Sequence, residues 1–119
     1  MQRYERIDGG RTTFAIVADE MGAPRLLHFG PRLSDGIDLR EIEAAVQGGP
    51  RESTPDAPVP ASLYPAGGMG WFGEPAICGA HDDADGALSW SSSTIERRGD
   101  TIAVMLFDQR TQLRAHLTY

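Results

Sequence analysis

Between Pro50 and His81 the chain carries six of its eight prolines and five of its fourteen glycines. No helix interior or central strand tolerates that density. Proline lacks the ladder N–H, and glycine is costly to order. Regular structure is therefore pushed to either side, before Pro50 and after Gly86. Each side is too short to hold a good core alone, so the two must pack on each other. Residues 1–119 thus read as one domain, with the Pro-rich stretch from Pro50 to Pro65 an exposed internal crossing and not a linker.

On the first side, Tyr4 to Ile7 reads as a short strand closed by Asp8-Gly9-Gly10. Thr12 to Ala18 (TTFAIVA) is β-branched and apolar on both faces, the mark of a buried strand. Met21-Gly22-Ala23-Pro24 breaks it, and Arg25 to Phe29 (RLLHF) is a third strand ended by Gly30-Pro31. Short spacings make these an antiparallel meander. Asp38 and Glu41 then form a capping box. Leu39, Ile42 and Val46 share one helical face until Gly48-Gly49-Pro50 stops the run, which predicts a helix from Leu39 to about Gln47. On the second side, Leu88, Trp90 and Ile95 alternate partly within Ala87 to Arg97, and Gly99-Asp100 turns the chain. Thr101 to Phe107 (TIAVMLF) is the most hydrophobic run and predicts a central strand. Leu113, Ala115, Leu117 and Tyr119 alternate with Arg114, His116 and Thr118, a strand with one buried face. The fold is expected to be mainly antiparallel β with one short helix. A chain cut in mid-pattern at Tyr119 reads as the first part of a longer one. A last strand without a neighbour is expected to pair with another copy or with the N-terminal strand.

The stretch Tyr64 to His81 (YPAGGMGWFGEPAICGAH) is too apolar for an ordinary solvated loop. Large aromatics on such a backbone either cap a core or meet a ligand, and Tyr64 and Ile77 are placed to pin the ends. Gly68, Gly70 and Gly73 spell G-x-G-x-x-G, but no strand leads in and Pro75 follows, so a nucleotide site is rejected. Asp83, Asp85 and Gly86 occupy calcium-loop slots, yet His81 and Ser92 stand at the first and last slots. Asp85-Gly86 reads as a hairpin turn instead. No second His or Cys has metal-ligand spacing to His81, so no metal and no cofactor is expected.

A formal net charge of -6 without a basic patch argues against nucleic acid as a partner. No apolar run approaches a membrane span, and the N-terminus MQRYERIDGG lacks a signal-peptide core. The lone Cys78 points to a reducing compartment, hence the cytoplasm. His28, His81 and His116 fall in separate segments, and no nucleophile–base pair has supporting context. The acidic residues of the turns and the helix read as solvated. Residue chemistry alone gives a mostly β domain with an aromatic loop and no catalytic residue.

Two segments carry a resemblance. ADEMGAPRLLHFGPRL (Ala18 to Leu33) and SLYPAGGMGWFGEPAI (Ser62 to Ile77) resemble the N-terminal β-sandwich domain of family 36 glycoside hydrolases, the bacterial α-galactosidases. The resemblance implies an antiparallel β-sandwich, part of a supersandwich, and a parent that is a retaining exo-glycosidase removing terminal α-galactose. It places both catalytic aspartates on a (β/α)8 barrel C-terminal to this domain. Such a barrel takes about 250 residues, so it is not in this chain. It further implies a homo-oligomer, in some members of which this domain's loop reaches the sugar site of a neighbouring subunit. The matching positions are Trp71 and Phe72, the candidate substrate-binding residues. The family often has an acidic residue before its aromatic and an Arg after it, where this chain has Trp71 and Gly73. The alternative is a free-standing carbohydrate-binding or protein-interaction β domain, with Trp71 stacking on sugar.

Overall fold

The computed structural model describes residues 1–18, 23–46, 62–66, 73–78 and 87–119. Strands β1 (Arg3–Gly9), β2 (Thr12–Ala18) and β3 (Arg25–Pro31) form an antiparallel sheet in the order β1-β2-β3. The central β2 is covered on both faces, which is why its sequence lacks alternation. The pleat sends Ile16 and Ala18 toward one core and Ala15 and Val17 toward another. Gly30 and Pro31, expected to end β3, remain paired with Thr13 and Thr12. β3 lies at the edge of this sheet, where proline's missing N–H breaks no ladder. The β2–β3 register shifts between Ala15 and Ile16, leaving Leu27 as an extra residue.

Strands β4 (Ser92–Arg98), β5 (Thr101–Asp108) and β6 (Leu113–Thr118) form a second antiparallel sheet with β5 in the centre. Ile102, Val104, Leu106 and Asp108 are buried along β5, alternating with Ala103, Met105 and Phe107. The inner faces of both sheets meet in one core of Ile16, Ala18, Ile95, Ile102, Val104 and Leu106, completed by Ala66, Leu88 and Trp90 from outside the strands. Burying each large aliphatic contributes about 1.5–3 kcal/mol. The two halves of the chain thus share a core, as their lengths required. Gly99, at φ +61° in the two-residue β4–β5 turn, supplies the positive φ such hairpins need. β6 has one half-buried face, and Tyr119 continues its pairing through both backbone bonds to Ile102, each 2.9 Å. Among the described residues β6 pairs with β5 alone. The N-terminal strand does not fill the place beyond it, because β1 pairs with β2 in the other sheet.

Helix α1 (Leu39–Val46) lies on the far face of the first sheet, where Leu39 and Ile42 pack against Ala15, Val17 and Leu27. Asp38 caps it: its Oδ1 accepts the Arg40 N–H at 2.9 Å, and its carbonyl accepts the Glu41 N–H at 3.0 Å. Gln47, the expected last residue, lies outside the described residues. Val46 does not join the buried face and is 53% exposed; Glu43, one turn after Leu39, is buried there instead. Among the described residues no helix is long and apolar enough to cross a membrane.

Candidate functional site

Two limbs, together the neck, flank the aromatic loop in sequence and are described. The first limb, Ser62 to Ala66, docks on the free edge of β3. Ser62 forms an antiparallel bridge with Arg25, and the Leu63 N–H donates to the Pro24 carbonyl at 2.7 Å. The second limb, Gly73 to Cys78, is tied to the first where the Ala76 N–H donates to the Pro65 carbonyl at 2.9 Å. That bond closes the loop at its base.

Beneath the neck lies the shared core. Ala66 is fully buried, and Leu63, Tyr64 and Ile77 pack against the core cluster. Tyr64 and Ile77 therefore pin the two ends, as their flanking positions suggested. The buried Trp90 indole donates to the Tyr64 carbonyl at 3.2 Å, and the two rings lie 6.1 Å apart. Trp90 is thus the post on which the first limb stands. Cys78 is exposed on the second limb. Gly73 to Cys78 is not helical, and Ser92 opens β4. Trp71 and Phe72 themselves lie outside the described residues, as do Gly68, Gly70, His81, Asp83, Asp85 and Gly86.

The neck is linked to a buried carboxylate on α1. Glu43, 6% exposed, accepts hydrogen bonds from the Tyr4 hydroxyl, the Arg25 guanidinium and the Gln2 amide. Burial pushes its carboxyl toward neutrality, but the bonds from Tyr4 and Arg25 outweigh this and hold its pKa below the ordinary range. The same bond to Glu43, aided by burial, raises the Tyr4 phenol above its usual value. Sequence reading assigned the helix acids to solvent and so missed Glu43. Its spacing of four from Leu39, on the buried face, was the available signal.

Among the described residues, the other titratable groups singled out by the sequence are tied into the fold. His28 Nε2 bonds the Pro31 carbonyl at 2.9 Å, and His116 faces outward on β6. Asp108 is buried and accepts backbone N–H groups from Ser89, Arg110 and Thr111 at 3.1, 2.9 and 3.4 Å, a turn-forming role. Among the described residues, no three His, Cys, Asp or Glu side chains converge to hold a metal ion.

The sequence model of the glycosyl hydrolase family 36 N-terminal domain matches residues 22–119. The chain belongs to this family. The match spans β3, α1, both limbs of the neck and the whole second sheet. It starts after β1 and β2, although β2 supplies Ile16 and Ala18 to the core that the matched part shares. The core of the matched part therefore draws on a strand ahead of it. No curated protein and no solved structure gave a match.

Proposed function

We propose that this chain is the non-catalytic N-terminal domain, residues 1–119 or a fragment of it, of a retaining α-galactosidase of the cytoplasm. The observation that carries this reading is the family match over residues 22–119, which contains the aromatic loop's whole neck. The catalytic barrel belongs to the same parent chain, C-terminal to Tyr119, and holds both reacting aspartates. The domain supports that barrel and takes part in a homo-oligomer. Its loop offers Trp71 to the sugar site, while Phe72 turns the other way and anchors it. A neck closed at its base and seated on the core is what supports a role for this loop. The family match weighs against a free-standing binding module.

Trp71→Ala in the parent enzyme tests the loop's role. The expected result is a KM for an aryl α-galactoside raised about tenfold, the effect of losing one aromatic contact of about 1.4 kcal/mol. Stability should change by no more than about 0.5 kcal/mol, as for surface positions. Phe72→Ala should do the reverse, costing stability first. A large stability loss for Trp71→Ala with none for Phe72→Ala reverses the assignment.

A further inference from the structure

Arg25 connects the neck with helix α1. Its backbone, at the start of β3, bridges Ser62 in the first limb of the neck. Its guanidinium, 17% exposed, pairs with the Glu43 carboxylate, 8% exposed, on α1. Pro24, the residue before it, is buried and accepts the Leu63 N–H. The beginning of β3 is therefore the dock for the neck, and the Glu43–Arg25 pair ties α1 to that dock. This pair is largely shielded from water, so removing Glu43 takes from the Arg25 guanidinium the carboxylate it faces and is felt strongly. Removing Arg25 from its seat shifts the strand end on which Ser62 and Leu63 rest.

We propose that Glu43 is a positioning residue for the neck: through Arg25 it fixes the β3 edge on which Ser62 and Leu63 dock, and through the neck it bears on the sugar-site role proposed for Trp71. The inference rests, for its sugar-binding consequence only, on the reading of Trp71 given above. The action of Glu43 passes through Arg25, Ser62 and Leu63. The Tyr4 bond to the same carboxylate points away from this route, to β1, and serves as an internal control.

The test is hydrogen exchange on the full-length parent chain, read by mass spectrometry on peptides covering Leu63, Ala76 and β5. Glu43→Ala is expected to speed exchange at Leu63 and Ala76 about tenfold or more, the loss of a charged hydrogen bond. Peptides from Thr101 to Asp108 should keep wild-type protection. Glu43→Gln, which still accepts one bond, should fall between. Tyr4→Phe should leave the neck near wild type. If Glu43→Ala does not fold, Arg25→Lys takes its place, keeping the charge and the backbone bridge but losing the planar fork. Unchanged exchange at Leu63, or equal acceleration in the neck and in β5, overturns the proposal. The KM of the Trp71→Ala enzyme is measured alongside. A loosened neck in Glu43→Ala with an unchanged KM in Trp71→Ala supports the positioning role and removes the sugar-contact reading instead.

Discussion

Trp90→Ala is expected to lower unfolding stability by about 3–5 kcal/mol, the largest single loss in the domain. Trp90 is 2% exposed and belongs to the core that joins the two sheets. Truncation removes the packing of the whole ring from a core that relaxes only partly. It also leaves the Tyr64 carbonyl without its indole donor. Small domains are stable by only about 5–15 kcal/mol, so this variant should be near the edge of folding. Trp90→Phe separates the two contributions, since it keeps a ring and drops the N–H. A loss of about 1–2 kcal/mol is expected for it. Urea midpoints at constant m-value give both figures. A Trp90→Ala loss under about 1 kcal/mol would mean that the sheets do not depend on a common core.

Asp108→Ala should be the second largest loss, about 2–3 kcal/mol. The Asp108 carboxylate, 1% exposed, organises the β5–β6 turn and the approach to β4 by accepting three backbone N–H groups. Alanine leaves those donors to find water in a tight turn whose Gln112 already sits at φ +60°. The effect depends on pH with a definite sign. Burial raises the pKa of Asp108, but the N–H groups of Ser89, Arg110 and Thr111 lower it more, so the folded value lies below the unfolded one. The carboxylate's stabilisation is thus fully present above the ordinary carboxylate range of about pH 4. It is lost as pH falls through the depressed folded value. Unfolding curves for wild type and Asp108→Ala should be well separated at pH 7 and converge in acid. A gap that stays constant to pH 2 would show that the charge of Asp108 contributes nothing.

The strands were legible because their chemistry is local. TTFAIVA is apolar on both faces because β2 is sandwiched between helix and second sheet, and Leu113 to Tyr119 alternates because β6 has one wet side. The helix start at Leu39 was legible from Asp38 for the same reason: a cap acts within one turn. What escaped the sequence was the side-chain bonds whose partners are far apart in the chain. Glu43 meets Tyr4 from 39 positions away, and Trp90 meets Tyr64 from 26. A glutamate on a short amphipathic helix reads as solvated until Arg25 and Tyr4 are seen to converge on it. Gly30-Pro31 misled for a related reason: whether proline ends a strand depends on whether that strand is an edge, and edge position is a property of the sheet. The candidate site was half legible. Tyr64 and Ile77 announced its ends, but Trp90, Glu43 and Arg25, which hold its base, carried no motif.

The central claim, that this chain is the non-catalytic front of an α-galactosidase, is tested most directly by turnover of an aryl α-galactoside. The same assay is run on the parent chain, continued past Tyr119, and on residues 1–119 alone. Turnover by the parent with retention of configuration at the released sugar, seen by NMR, is expected, and none by residues 1–119. Turnover by residues 1–119 after removal of host enzyme, or a parent chain inert toward α-galactosides, would contradict it.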